Sequence, residues 1–436
     1  MKLHTQISIA LVAGALAGLA SNYFGIGWLQ STLVAIEPIG TAWIDLITMV
    51  VVPLVVASLV VGTASLGDMT KLGRLGGKTV AFYLVTTAIA VTIGLVLSNV
   101  IVPGGRIDPA TLESLRNAYM DESAQQVQTA QAQDTGIVDM LLGMIPRNPV
   151  AALTEMRMLP IIIFSIFLGA AVSVLPEDTG GSTVISFFDG INEASMKMVH
   201  WIMKLAPYAV FALIAAVVAQ FGLEVLQSLL VYCAVVIGGL VLHLLITYTS
   251  ALKFLAKVDL SEWFKRIREV PLIAFSTSSS NATLPVTMET AEEELGVSRE
   301  SSSFVLPLGA TINMDGTALY QAVATMFIAQ VLVGQLALTA QIGIVLTATL
   351  ASIGAAGVPS AGIIILVIVL TQALPAGVDP AAGIALIFGV DRILDMCRTA
   401  LNVTGDLTAV SVIAVSENET LTVDAPRKPS EARSAA

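Results

Sequence analysis

Near the C-terminus, in one of the most apolar regions of the chain, the sequence reads ILDMCRTALNVTGD, Ile393 to Asp406. Two aspartates and an arginine there are costly if the segment meets lipid, since Asp or Arg at the centre of a membrane helix costs about 2.5–3.5 kcal/mol on insertion scales. At about 100° per residue, Asp391, Asp395, Arg398, Thr399, Asn402 and Asp406 fall on one helical stripe. Ile393, Leu394, Met396, Leu401 and Val403 occupy the other faces, with Arg392 at the stripe's edge. Ion pairing along the helix would account for Asp391, Asp395 and Arg398, but for neither Asn402 nor Asp406. Such pairs are usually worth less than about 1 kcal/mol.

The stripe has a recognisable chemistry. A guanidinium such as that of Arg398 receives a carboxylate bidentately, and Asp395, one turn away, can accept from an ammonium. Together they would read the two ends of an acidic amino acid, with Thr399 and Asn402 adding neutral hydrogen bonds. A second polar string, GATINMDGT at 309–317, sets Asn313, Asp315 and Gly316 inside an apolar run. Glycine loosens a helix there, and an unwound helix exposes carbonyls. Carbonyls with Asp315 and Asp406 suit a hard cation held through oxygen, and on a transporter reading sodium fits better than calcium.

These residues must be held by elements, and the composition says which kind. Of 436 residues, 56% are hydrophobic and only 12% charged, against about 25% charged in a soluble domain. An all-α integral membrane protein follows. Six stretches are apolar over the length a membrane helix needs: Ile7–Leu29, Pro38–Leu66, Thr79–Val102, Leu159–Leu175, His200–Ala219 and Val225–Leu252. The first resembles a signal peptide, but its apolar character runs on through NYFGIGWL, which favours an uncleaved span. Lys71, Arg74 and Lys78 follow the second stretch, and Lys253, Lys257, Lys265, Arg266 and Arg268 follow the sixth; the tail adds Arg427, Lys428 and Arg433. The loops around 30–37 and 220–224 carry no Lys or Arg. The positive-inside rule then puts both termini in the cytoplasm. The polar stretch 104–148 reads as an external loop.

Beyond Leu252 the apolar runs are interrupted. STSSSNATLPV (276–286) and LASIGAAGVPSAG (350–362) both carry small residues before a proline, ATLP and AGVP, and each precedes a longer apolar segment with Asn and Asp. That is a weak internal repeat. Broken helices at membrane depth must be buried or line a cavity, and a corresponding pair of them points to a transporter's binding site. Two proline-kinked structural helices are the plainer alternative. Between Ser301 and Ser416 the only charges are Asp315, Asp379, Asp391, Arg392, Asp395, Arg398 and Asp406, with no lysine, which favours the transporter.

Other classes find little support. The net charge of −11 comes with no basic stripe, so nucleic acid is not a partner. Cys233 and Cys397 lie far apart, which disfavours a disulfide and excludes a CxxC metal site. His4, His200 and His243 are scattered, and Ser278 to Ser280 have no histidine nearby, so neither a His-based metal centre nor a hydrolase is indicated. A channel could also use polar membrane helices. The N-x-S/T matches at Asn281, Asn402 and Asn418 read as chance.

SSSNATLPVT, GATINMDGTALYQ, ASIGAAGVPSAG and LDMCRTALNVTGD, in that order, resemble the signatures of the glutamate/aspartate transporter family, the dicarboxylate/amino acid:cation symporters that include the excitatory amino acid transporters. The resemblance covers essentially the whole chain. It implies eight transmembrane helices and two re-entrant hairpins, a homotrimer in the bacterial inner membrane, and a transport domain moving across a scaffold as an elevator. The scaffold would comprise helices 1, 2, 4 and 5 (about 1–70 and 150–220). The transport domain would comprise helices 3 and 6, hairpin 1, helix 7, hairpin 2 and helix 8 (about 79–102 and 225–416), with 417–436 a cytoplasmic tail. The implied function is sodium-coupled symport of L-aspartate or L-glutamate. Proton coupling, or a neutral amino acid or C4-dicarboxylate substrate, are the alternatives within the family.

By the same resemblance Arg398 would hold the substrate's side-chain carboxylate and Asp395 its amino group, with Thr399, Asn402 and Thr317 hydrogen-bonding and backbone from Ser278, Ser280 and Val358 closing round it. One sodium would take carbonyls of Gly309, Asn313 and Asn402 with the Asp406 carboxylate. A second would take Thr311 with carbonyls of Ser352, Ile353 and Ala355, and a third Tyr83, Thr86, Thr87, Asn313 and Asp315. Four positions depart from relatives. Ser278 stands where archaeal members place an arginine, and Met396 where animal members place the compensating one. Gln321 stands where proton-coupled animal members have glutamate, and Cys397 replaces a glycine beside Arg398.

Overall fold

The fold is read from a computed structural model, which describes residues 3–66, 69–106, 145–175, 180–221, 229–352, 361–375 and 380–424, with a few isolated positions elsewhere. Among these the chain is helical without strands. In order the elements are α1 (Leu3–Tyr23), α2 (Gly27–Ala35), α3 (Glu37–Leu66), α4 (Met69–Ile101), α5 (Pro149–Thr154), α6 (Met158–Ser173), α7 (Gly181–Met203) and α8 (Ala206–Phe221). They continue with α9 (Leu230–His243), α10 (Leu260–Ile267), α11 (Glu269–Thr277), α12 (Ser280–Glu289), α13 (Arg299–Ile312), α14 (Asp315–Leu332), α15 (Leu338–Ser352), α16 (Ala361–Ala373) and α17 (Pro380–Ser416). Two π-helical turns, Leu244–Tyr248 and Ala251–Ala256, extend α9, and a third, Thr290–Leu295, extends α12.

Among the described residues five helices are long and apolar enough to cross a membrane, and six if α7 and α8, bent by 59°, count as one span. Large apolar side chains stand exposed along them and on the shorter α6, including Ile9, Val12 and Leu16 of α1, Phe167 of α6 and Leu245; apolar surface on that scale belongs against lipid or another chain.

The span boundaries differ from expectation in definite ways. The first ends at Tyr23 because Gly25, at φ +61°, takes the left-handed turn that glycine enters without strain. Lys71, Arg74 and Lys78 lie within α4 and not in a loop. The fourth stretch is a helix of 16 residues, about 24 Å long against a hydrocarbon core of about 30 Å. The fifth is preceded by α7, which is amphipathic, whereas composition placed a span only from His200. Apart from its two ends and a few isolated positions, the expected external loop 104–148 lies outside the described residues, as does the expected tip of the second hairpin, 353–360.

The core forms two main apolar clusters. One joins Val51, Leu54 and Leu59 of α3 to Ile162, Ala274, Leu284 and Met288, and takes Met396, Val403, Leu407 and Val410 from α17. The other joins Tyr232 and Val236 of α9 to Leu319, Tyr320, Val323 and Phe327 of α14 and takes Val390, Leu394 and Leu401 from α17. α17 is thus enclosed by protein, with 83% of its most apolar window buried, and its polar stripe is buried with it.

The end of α17 is held by charge. Glu417 accepts from Arg74 through both oxygens, at 3.1 and 2.7 Å, and from Lys78 at 2.7 Å. The Arg74 hydrogen bond, with Lys78 beside it, holds this carboxyl down to about 2. A carboxyl depressed by folding stabilises the native state above its unfolded pKa, near 4.3, and the contribution disappears as pH falls toward the folded value. Glu417→Gln is therefore expected to lower the melting temperature at pH 7, modestly because Arg74 is half exposed and screened. The gap to the unsubstituted protein should close between about pH 4.5 and 2, which thermal melts across that range would show.

Candidate functional site

Asp391, Asp395, Arg398, Thr399, Asn402 and Asp406 are all buried on α17. Arg398 Nη2 donates to Asp395 Oδ1 at 2.8 Å and lies 3.2 Å from Asp391 Oδ1. Its guanidinium stacks on the Tyr320 ring, 3.8 Å from the centroid, a cation–π contact that fixes the plane of the group. A Cβ added at Gly362 of α16 would lie 2.9 Å from Arg398 Nη1, so that helix closes the far side. Arg398 Nε and Nη1 have no hydrogen-bond partner among the described residues. The intrahelical ion pairs weighed from sequence are therefore real, but they use one nitrogen and leave two donors of a buried guanidinium unmatched. Both carboxylates pair with Arg398; Arg392 is half buried and takes no part in these pairs.

One turn on, Thr399 Oγ1 donates to the Asp395 carbonyl at 2.9 Å. Asn402 Oδ1 accepts from the Gly316 amide at 2.7 Å and its Nδ2 lies 3.3 Å from Thr317 Oγ1. These bonds tie α17 to the first turn of α14. They are possible because helix ends between α13 and α14: Asn313 and Met314 interrupt it, freeing backbone groups for side-chain partners, as the NMDGT string led us to expect.

Two carboxylates flank this break. Asp406 Oδ1 accepts from Asn313 Nδ2 at 2.8 Å, and Asn313 Nδ2 also reaches the Asn402 carbonyl at 3.2 Å. Asn313 Oδ1 is buried without a partner among the described residues. Gly309 must be glycine: a Cβ there would sit 2.5 Å from Asp406 Oδ1 and 2.6 Å from Tyr83 Oη. Gly309→Ala is expected to cost about 1–3 kcal/mol as an overpacking change, visible as a lowered melting temperature of the detergent-solubilised protein.

Asp315 is fully buried. It accepts from Thr87 Oγ1 at 2.6 Å and Tyr248 Oη at 2.9 Å, and His243 Nε2 lies 3.1 Å away. No Lys or Arg pairs with Asp315 or Asp406 among the described residues. Tyr83 Oη donates to the Val305 carbonyl, and Thr86 and Thr311 bond back into their own helices. Of the expected cation ligands, Thr87 meets Asp315, and Asn313 joins Asn402 to Asp406 beside Gly309. Ser352 ends α15, whereas Ile353, Ala355 and Val358 lie outside the described residues.

Where the first hairpin is expected, α11 and α12 meet at Ser278, which takes the left-handed conformation at φ +52°. Ser279 caps α12 by accepting from the Ala282 amide at 3.1 Å. Ser280 is buried, and Ser278 Oγ and Asn281 Oδ1 have no partner among the described residues. A lipid-facing turn could not leave such groups bare, so the turn between α11 and α12 lies in the protein interior. Gln321 is fully buried with neither amide atom partnered among the described residues; Met396 packs in the apolar core and supplies no charge.

Sequence reading missed His243, Tyr248 and Tyr320. In a regular α-helix, residues five apart are rotated about 140° from each other; the π turn brings His243 and Tyr248 to one side, rings 4.8 Å apart. The available signal was a lone histidine inside a long apolar segment, where an ionisable group is costly.

Comparison with known proteins gives the family. The family model described as "Sodium:dicarboxylate symporter family" matches residues 3–416. The chain is 38% identical to a proton/glutamate-aspartate symporter of Escherichia coli K12, covering 95% of this chain and 92% of that protein. It is 36% identical to a proton/sodium-glutamate symport protein of Geobacillus stearothermophilus, covering 95% and 94%. It is also 34% identical to a C4-dicarboxylate transport protein of Laribacter hongkongensis, covering 95% and 90%. With the match running from α1 to the end of α17, the chain belongs to the sodium:dicarboxylate symporter family and is a transporter, not an enzyme.

Proposed function

We propose that this protein is a secondary active symporter of L-aspartate or L-glutamate driven by sodium. The observation that carries the reading is the Arg398–Asp395 pair: a buried guanidinium with two unmatched donors beside a buried carboxylate. On binding, the substrate's distal carboxylate takes Arg398 Nε and Nη1 in a bidentate contact, its amino group lies on Asp395, and Thr399, Asn402 and Thr317 bound the site. Ser278, Ser280 and Val358 supply backbone from the two hairpins. Arg398 disfavours a neutral amino acid, and Asp395 disfavours a C4-dicarboxylate without an amino group, although relatives bear that name.

Sodium is cargo on this reading. Asp315 and Asp406 are buried carboxylates with no Lys or Arg partner among the described residues, Asp315 meeting only the imidazole of His243 as a basic group, an arrangement that a bound cation makes tolerable. Asp406 with carbonyls of Gly309, Asn313 and Asn402 would take one ion; Asp315 with Tyr83, Thr86, Thr87 and Asn313 another; and Thr311 with carbonyls of Ser352, Ile353 and Ala355 a third. Asn313 and Asn402 touch both a carboxylate region and the substrate stripe. A cation that fixes Asn313 therefore also fixes Asn402, which is the form a coupling free energy takes. Each positive charge moved inward gains about 2.3 kcal/mol per 100 mV, so ions beyond those neutralising the substrate drive accumulation.

We further place the chain in the bacterial inner membrane as a homotrimer with eight spans, two re-entrant hairpins and cytoplasmic termini, working as an elevator. The scaffold comprises about 1–70 and 150–220, and the transport domain about 79–102 and 225–416. Proteoliposomes test the function. Labelled aspartate should accumulate against its gradient only with an inward sodium gradient. Accumulation driven by a pH gradient alone would favour the proton-coupled alternative suggested by relatives' names, and downhill flux without accumulation would mean a channel.

A further inference from the structure

Away from the stripe, His200 of α7 meets the end of the first hairpin. Its Nε2 lies 2.9 Å from Glu289 Oε1, the last residue of α12. Glu293 stands four residues on, in the π turn, and the three ligand atoms lie within 4.8 Å of one another. Two ligands on one tetrahedral zinc stand about 3.4 Å apart, given bonds of about 2.1 Å, so small side-chain rotations close the set. The other ring nitrogen carries the independent observation: His200 Nδ1 lies 2.8 Å from the Met196 carbonyl, one turn back. A carbonyl there accepts the hydrogen bond from Nδ1, the arrangement that orients metal-bound imidazoles. Nε2 in turn donates to the Glu289 carboxylate, so an ion that displaces that proton would meet the Nε2 lone pair and the carboxylate oxygen together. His200 and Glu289 are part exposed, and Glu293 is exposed, so an ion can reach them.

Nearby carboxylates add to the negative potential. Glu269 lies close enough to Glu289 and Glu294 for their charges to interact. Imidazole with carboxylate suits zinc and its neighbours in the first transition row and not the alkali cations.

We propose that His200, Glu289 and Glu293 form a regulatory site for a divalent transition metal of the zinc class, which clamps α7 to the first hairpin. Three protein ligands leave a fourth position for water. Binding needs nothing from the transport reading. Its consequence does: on the elevator assignment α7 belongs to the scaffold and α12 to the moving domain, so the bound metal arrests transport.

Purified full-length protein titrated with Zn2+ by calorimetry, and with Co2+ by visible absorption, tests the site. One equivalent per chain at micromolar affinity, with tetrahedral Co2+ bands, is expected. Glu293→Gln, exposed and harmless to folding, and His200→Ala should each weaken binding at least tenfold. Absence of binding below millimolar Zn2+, or affinity unchanged in both variants, would leave a plain His–Glu ion pair and overturn the proposal. In proteoliposomes, Zn2+ on the hairpin side should stop uptake by the parent and spare Glu293→Gln. Tight binding with unaffected uptake would overturn the clamp and keep the site. Absence of uptake in metal-free parent protein would instead count against the transport reading.

Discussion

Arg398→Ala is expected to weaken aspartate and glutamate binding at least about 100-fold and to abolish their uptake. Hydrogen bonds to charged groups contribute about 1.5–3 kcal/mol each, and the proposed contact uses two, so the loss exceeds the 1.4 kcal/mol that corresponds to tenfold. The substitution also strands Asp391 and Asp395, both buried and both paired to this side chain. Breaking a buried pair costs about 3–5 kcal/mol. Weakened binding alone would therefore be ambiguous. Arg398→Lys resolves it: the ammonium keeps one charge near Asp395 but has no planar fork, so the protein should fold while aspartate affinity still falls at least tenfold. Calorimetry on both variants checks this, and unchanged aspartate affinity in either one would sink the assignment of Arg398.

Asp315→Asn has an effect of two signs. With sodium absent, the buried carboxylate of Asp315 is supported by Thr87, Tyr248 and His243 without a basic side chain from Lys or Arg. Replacing it by a neutral amide of the same shape relieves that desolvation cost, and the melting temperature in choline buffer should rise. With sodium present, a charged ligand of the proposed site is gone, so the apparent sodium affinity should fall at least about tenfold and uptake with it. A structural role alone predicts one direction, destabilisation under both conditions. Melting curves in choline and in sodium separate the two, and equal sodium stabilisation in variant and parent would remove Asp315 from the cation site.

Much of the site was legible in the sequence because cost and period are both written there. Charges in an apolar run must face protein, and the helical period put Asp391, Asp395, Arg398, Asn402 and Asp406 on one side; the enclosed α17 agrees. The break at Asn313–Met314 followed from glycine and polar residues in the same way. What the sequence did not reveal depends on contacts between distant segments. Tyr320 under Arg398, and His243 and Tyr248 on Asp315, come from α14 and α9, and the π turn that aligns the last two follows no residue rule. The short α6 and the bend between α7 and α8 were missed because an apolar window measures composition and not where a helix stops.

Linkage gives the most direct test of the central claim, that acidic amino acid and sodium bind as one unit. Aspartate affinity measured calorimetrically across a range of sodium concentrations, at constant ionic strength and pH, should tighten more than tenfold for each tenfold rise in sodium, since more than one ion binds with the substrate. An affinity that ignores sodium and follows pH instead would contradict it.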